Sequence, residues 1–204
     1  DVVVASRRTP PQELVKKPRN GAVDVAERPR EGDEIGDVLV LRELGHSATG
    51  AVYRVHRGGD DLRLRRLSRE IVQRRRDVQR YFAAVRLAAG VEHPGLAANV
   101  VAGAFDATGR LTGALSEYVD GVPLTSILAE KGGRHLNELL PLLWAVVEAL
   151  AALHSAGIAH GALHAGNVLV TRADPASPSV LLLDAGAQHL RPALVGLGTQ
   201  AVPN

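Results

Sequence analysis

Two short segments carry the residues best suited to chemistry: the run from His160 to Asn167 and the triplet Asp184-Ala185-Gly186, each with apolar residues beside it. Asn167 and Asp184 have side-chain oxygens, the ligands that hard cations require. Ala162, two residues after His160, has only a methyl group, which cannot accept a proton. The two segments therefore offer cation ligands but no acid–base group at Ala162.

In residue type and spacing these segments resemble the catalytic loop and the metal-binding turn of protein kinases. In that family an aspartate two residues after the histidine accepts the proton of the attacking hydroxyl group. The resemblance implies that Ala162 occupies the position of this base and His164 that of the catalytic-loop lysine. It also implies that Asn167 and Asp184 hold magnesium beside ATP. No catalytic residue of the family is therefore intact.

The segment Gly45–Val52 resembles the glycine-rich G-x-G-x-x-G-x-V loop of the same family. Such a loop lets backbone N–H groups approach nucleotide phosphates closely. Gly45, Gly50 and Val52 match the pattern, whereas Ser47 stands at its second glycine. The resemblance implies that these four residues contact the nucleotide, with a reduced fit at Ser47.

A basic residue on the third predicted strand is the next match. Within Leu62–Leu67, Arg65 stands where the family has the lysine of V-A-I-K, and arginine is not interchangeable with lysine. Counting back from His93 places Ala84 at the glutamate that pairs with that lysine. The ion pair that orients the lysine toward the phosphates is therefore predicted to be absent.

The segment Ser116–Gly121 resembles the hinge between the kinase lobes, where adenine meets backbone groups. Glu117 and Val119 are predicted to contact the nucleotide there, and Ser116 to line the back of its pocket. The run of arginines from Arg63 to Arg80 is interpreted as a solvated connection, with a phosphate-bearing partner as the alternative. Because no aromatic residue interleaves this run before Tyr81, a nucleic-acid partner is not expected.

Apolar periodicity predicts the elements that position these residues. Strands are predicted over residues 38–41, 50–55, 62–67, 99–105 and 111–118, and a hairpin over 168–170 and 180–183. Helices are predicted over residues 77–90, 124–130 and 136–155, with Gly157 ending the last. The order of three strands, a helix and two strands resembles the small lobe of a protein kinase. The predicted fold class is α+β and protein-kinase-like: a five-stranded small lobe plus the start of a mainly helical large lobe.

The chain is predicted to have three parts. Residues 1–35 are expected to form a flexible tail or linker, residues 36–118 the small lobe, and residues 119–204 the start of the large lobe with the catalytic loop and the metal turn. Gly198, Thr199 and Pro203 faintly resemble the end of an activation segment. Because the first residue is aspartate, we expect the chain to be a fragment of a longer protein.

Composition excludes several kinds of partner and binding site. The net charge of +2 is too small to imply a nucleic-acid or membrane partner, and the absence of cysteine excludes disulfides and thiolate metal sites. The longest apolar region, Leu139–Leu153, is shorter than a bilayer span. We expect a cytoplasmic protein, attached to a membrane only through a parent segment outside this chain.

Three functions are weighed from the sequence. The favoured one is a pseudokinase that acts by regulatory or scaffold binding to a protein partner, with ATP and magnesium weakly bound or absent. The first alternative is an active serine/threonine kinase or small-molecule phosphotransferase that uses a non-standard base. The second alternative is an interaction module without a nucleotide site.

Overall fold

The computed structural model describes residues 28–35, 37–98, 101–105, 111–130, 135–171 and 179–190, with only the backbone given for residues 101–105 and 111–112. Most of the predicted tail lies outside these residues, as does the predicted end of the activation segment. The sheet begins at Glu34, two residues before the boundary predicted at residue 36.

A six-stranded antiparallel sheet forms the first part of the fold, in the order β1-β2-β3-β4-β6-β5. Its strands are β1 Glu34–Ile35, β2 Val38–Ser47, β3 Gly50–Arg57, β4 Asp60–Leu67, β5 Val101–Phe105 and β6 Leu111–Glu117. The two-residue β1 only extends the edge, so the five longer strands are the predicted small lobe. Side chains alternate between the faces of a strand, so Leu62 and Leu64 of β4 are buried in the core, while Arg63 and Arg65 take the other face.

Two helices connect β4 to β5. Helix α1 spans Arg69–Gln73, and the Ser68 hydroxyl caps it by accepting a hydrogen bond from the backbone N–H of Ile71 at 3.4 Å. Helix α2 spans Arg75–Ala89 and buries Tyr81 and Phe82. The predicted bounds of α2 were within two residues at each end, but the residues of α1 were interpreted as a solvated connection between strand and helix. The capping serine was the signal for α1.

The second part of the fold is a small sheet with two helices. Its elements are β7 Val122–Pro123, α3 Leu124–Leu128, α4 Leu136–Ser155, β8 Val168–Thr171 and β9 Ser179–Leu182, with sheet order β7-β8-β9. Gly157, with φ +74°, follows the end of α4 as predicted. A single turn of 3-10 helix, Ala165–Asn167, leads into β8. The predicted α+β class is confirmed.

Helix α4 is apolar on two faces. One face buries Leu142, Val146, Ala149 and Leu153 in the cluster that also holds β8 and β9 residues. The other face leaves large apolar side chains exposed: Leu136, Leu140, Leu143, Trp144 and Val147. With 20 residues, α4 has the length and the apolar composition of a membrane span. The core helix of a globular domain has the same properties, and α4 packs against β9 here.

Candidate functional site

A cavity of about 430 Å³ lies between the β2–β4 face of the large sheet and the β8–β9 hairpin. Its size is that of small-molecule sites, about 300–1,000 Å³. Apolar side chains, among them Leu44, Val52 and Leu169, contribute to its wall. Nine residues predicted to contact the nucleotide or the metal line it: Gly45, Ser47, Gly50, Val52, Arg65, Glu117, Val119, Asn167 and Asp184. Ser116, predicted to line the back of the pocket, does not line this cavity. His164 also lines it, whereas Ala162 does not.

Asp184 is held by two arginines of β4. Arg63 binds both carboxylate oxygens, with Nη1 to Oδ1 at 2.8 Å and Nη2 to Oδ2 at 3.0 Å. Arg65 Nη1 lies 2.6 Å from Oδ2. The Asp184 side chain is only 4% exposed, and those of Arg63 and Arg65 are 13% and 16% exposed. Because water is largely excluded, these are strong charge-assisted hydrogen bonds.

The electrostatics of this cluster keep the carboxylate charged. Burial by itself would raise the pKa of Asp184, but the charges of Arg63 and Arg65 lower it to about 2. Burial by itself would lower the pKa of Arg63, but Asp184 raises it. The three groups therefore carry two positive charges and one negative charge at neutral pH.

The backbone at Asp184 is also unusual. Its φ of +63° is the one positive value at a non-glycine residue within the described ranges. Such a conformation is costly for most residues, less so for aspartate, and such residues cluster at functional sites. Helix α2 packs directly on this turn: a Cβ placed on Gly186 would lie 2.6 Å from the Cβ of Ala84. The position predicted for the family's glutamate thus contacts the metal turn and carries no charge.

Hydrogen bonds hold the catalytic loop in shape. Buried His160 accepts a hydrogen bond at Nδ1 from the backbone N–H of Ala162 at 3.3 Å, and burial lowers the pKa of His160. Asn167 donates from Nδ2 to the carbonyl oxygen of Ala162 at 2.8 Å. His164 is exposed, and its Nδ1 accepts from the N–H of Gly166 at 3.1 Å. Buried His160 thus has a structural role, whereas His154 is exposed at the end of α4.

The glycine-rich loop is a two-residue turn between β2 and β3, closed by the pairing of Ser47 with Gly50. The Oγ1 of Thr49 lies 2.9 Å from Ser47 Oγ and accepts a hydrogen bond from Arg65 Nη2 at 3.3 Å. Gly50 has φ +142°, and a Cβ there would collide with the backbone carbonyl of Arg66. The fold itself therefore requires glycine at position 50, whatever the ligand.

The hinge residues are tied to the segment before β5. The backbone N–H of Glu117 donates to the carbonyl of Ala98 at 2.9 Å, and its Oε1 accepts from the N–H of Ala98 at 3.1 Å. Ser116 is 7% exposed, and its Oγ has no hydrogen-bond partner within the described residues. The side chain of Glu117 is thus engaged away from the cavity, while its position still lines it.

Of the two residues predicted to hold magnesium, only Asn167 has an oxygen available for it. Asn167 uses its amide nitrogen on Ala162, which leaves its oxygen for a ligand. Asp184 has both oxygens bound by guanidinium groups, and a dication would have to displace or face two positive charges. Within the described ranges, no group of three or more histidine, aspartate or glutamate side chains is arranged to hold a metal. The site as it stands does not fit magnesium.

Arg63 is the site residue that sequence reasoning missed. It stands two residues before Arg65, at the alanine of the V-A-I-K pattern. The signal was present, because residues two apart on a strand point to the same face. A large cation at this alanine position therefore had to point toward the cavity.

The chain is similar in sequence to bacterial serine/threonine protein kinases. It is 32% identical over 96 residues to PknA of Mycobacterium tuberculosis, covering 46% of this chain and 22% of the relative. It is 30% identical over 157 residues to pkn2 of Myxococcus xanthus, covering 76% and 18%. It is 32% identical over 151 residues to PknI of M. tuberculosis, covering 72% of this chain and 25% of the relative. The chain thus matches a quarter or less of the length of these curated relatives.

The fold agrees with this relationship. The crystal structure of the M. tuberculosis PknI kinase domain superposes with a TM-score of 0.67 at 27% identity, covering 78% of this chain and 62% of that domain. No protein-family model matches the chain. The chain is therefore a protein-kinase-like domain related to the serine/threonine kinases of actinobacteria and myxobacteria.

Proposed function

We propose that this chain is a pseudokinase: a kinase-like domain that acts by regulatory or scaffold binding to a protein partner and does not transfer phosphate. The observation that carries this proposal is the methyl group of Ala162 at the position of the catalytic base. Ala162 is 4% exposed and belongs to an apolar cluster with Phe82 and Leu190. We place the domain in the bacterial cytoplasm, the compartment that contains ATP.

Two further features support the proposal. The helix position that provides a glutamate in the family is Ala84, so Arg65 has no carboxylate partner on α2. Of the described carboxylates that line the cavity, Glu117 is bound to Ala98 and Asp184 to two arginines. A substitute base within hydrogen-bond reach of a substrate hydroxyl is therefore not provided by these residues.

Nucleotide binding is part of the proposal. The cavity has the size of a nucleotide site, and apolar residues wall it on the side of the predicted hinge. The arginines stand at its polar end. In a kinase fold without the catalytic base, a bound nucleotide is a ligand and not a substrate. Such a ligand stabilises the folded domain, because it binds only the folded state.

Transfer of radiolabelled γ-phosphate from ATP tests the absence of catalysis. The unaltered chain is expected to label neither itself nor a general acceptor protein. Ala162→Asp is expected to remain inactive, because Asp184 is still bound to Arg63 and Arg65. Ala162→Asn, of the same size without the charge, is the matched control for damage to the fold. Turnover by the unaltered chain would refute the proposal and favour the active phosphotransferase.

A further inference from the structure

We infer that the cavity binds the phosphate groups of a nucleoside di- or triphosphate directly through Arg63 and Arg65, without a divalent cation. This inference rests on the proposed nucleotide site and specifies how that site neutralises the charge of its ligand. It follows from the mismatch between the Asp184 cluster and magnesium.

The charge at the polar end of the cavity is the first support. In a phosphate site of the kinase type, metal ions neutralise the oxygens of the terminal phosphates, and carboxylates hold the metal. Here Arg63 and Arg65 against Asp184 leave one excess positive charge beside the cavity. The protein thus supplies in its own side chains the positive charge that a bound metal would bring. An added dication would meet repulsion from two guanidinium groups a few ångströms away.

The number of free donors is the second support. A guanidinium group has five N–H donors, and Arg65 uses one good bond to Asp184 and one long bond of 3.3 Å to Thr49. One hydrogen on Nη1 and one on Nη2 therefore remain beyond these two bonds, on a side chain that lines the cavity. A phosphate oxygen is an acceptor for them, and arginine is well matched to phosphate geometry.

The glycine-rich loop is the third support. The hydrogen bond from Arg65 to Thr49 connects the tip of this loop to the arginine cluster, and Ser47 Oγ adjoins the same hydroxyl. The loop therefore lies over the arginines. The hydroxyl groups of Ser47 and Thr49 are further donors for the anion that the arginines attract.

Asp184 has the opposite role in this arrangement from its role in a magnesium site. With magnesium, its carboxylate is a ligand, and its loss abolishes nucleotide binding. Without magnesium, the carboxylate competes with phosphate for the arginines, so its neutralisation frees donors and removes a repulsive charge. The two arrangements predict opposite signs for one substitution, Asp184→Asn.

Isothermal titration calorimetry of the chain with ATP, ADP and adenosine, in EDTA and in excess magnesium chloride, tests the inference. ATP is expected to bind in EDTA at least as tightly as in magnesium, and more tightly than adenosine. Asp184→Asn is expected to strengthen ATP binding in EDTA by about tenfold, and Arg65→Gln to weaken it by about tenfold or more, the scale of one charged hydrogen bond. Arg86→Gln removes an exposed arginine of α2 and is the matched control, with affinity unchanged.

Three outcomes would overturn the inference: ATP binding only in magnesium, weaker binding by Asp184→Asn, or no ATP binding in either buffer. The first two outcomes leave the proposed nucleotide site intact, whereas no ATP binding in either buffer would refute that site as well. The proposed lack of phosphoryl transfer is tested separately, by turnover. Thermal melts of each variant show whether it is folded. If Arg65→Gln does not fold, Asp184→Asn decides the question by itself, because asparagine retains hydrogen-bonding capacity at this position.

Discussion

The Nη1 atom of Arg65 lies 2.6 Å from Oδ2 of Asp184, although the two residues are 119 positions apart in the chain. The cation of β4 therefore has its carboxylate partner in the metal turn and not on helix α2. Ala84, which stands at the family's glutamate position, packs against Gly186 of the same turn. This ion pair thus connects β4 of the large sheet directly to the turn after β9 and occupies the carboxylate that was predicted to hold the metal.

This ion pair should make the free energy of unfolding depend on pH in the acidic range. The folded-state pKa of Asp184 is about 2, below its unfolded value of about 3.9. Between these two pKa values the unfolded chain binds a proton at Asp184 and the folded chain does not. Asp184 therefore contributes roughly 2 kcal/mol to the free energy of unfolding above about pH 4, and this contribution is lost as the pH falls toward 2. Urea unfolding of the chain and of Asp184→Asn should differ most near pH 7 and converge near pH 2. A difference that does not change with pH would contradict the pairing.

The two glycines of the glycine-rich loop, Gly45 and Gly50, should respond differently to an added methyl group. At Gly50 a Cβ meets the backbone of Arg66 at positive φ, so Gly50→Ala is expected to cost on the order of 2–3 kcal/mol of unfolding free energy. At Gly45 no atom lies within 4 Å of an added Cβ, so Gly45→Ala should change stability by less than about 1 kcal/mol. Urea denaturation of both variants checks this, and equal effects would show that the β2–β3 turn is wrongly placed.

Substitutions on the two apolar faces of α4 should have different effects on stability. Leu153 is fully buried, so Leu153→Ala is expected to lower the unfolding free energy by roughly 2–5 kcal/mol. Leu140 is 50% exposed, so Leu140→Gln should change it by no more than about 0.5 kcal/mol. Chemical denaturation followed by circular dichroism measures both. A large loss in Leu140→Gln would mean that this face is covered in solution.

Much of the fold was predictable because its elements have clear periodicity. Helix α4 has the predicted bounds, and the predicted strands fall where β2–β6, β8 and β9 lie. Their ends agree within two residues, except that β2 continues six residues past its predicted end. Helix α1 was missed because its five residues are too few to show a helical period, and the arginines on both sides of it favoured a solvated connection. The motif predicted a glycine at position 50. Only the structure showed why packing requires it: the backbone of β4 lies too close to allow a Cβ there.

The candidate site was also predictable in part. The spacing of the motifs placed nine ligand-site residues around one cavity, since a motif specifies positions relative to elements that the sequence also specifies. It could not show which groups pair. Arg63, missed by the motif search, takes both oxygens of Asp184 because β4 brings alternate side chains to the same face and the metal turn lies opposite them.

The sequence by itself determined which side chains the motifs lack: Ala162 has no side-chain oxygen to take a proton, and no acid lies between Asp77 and Glu92, where the family has a glutamate. Only the tertiary structure decided that Asp184 is an ion-pair partner of two arginines. Pairing between distant charges depends on which surfaces the fold brings within about 3 Å and from which it excludes water. Residue types and spacing along the chain do not contain that information.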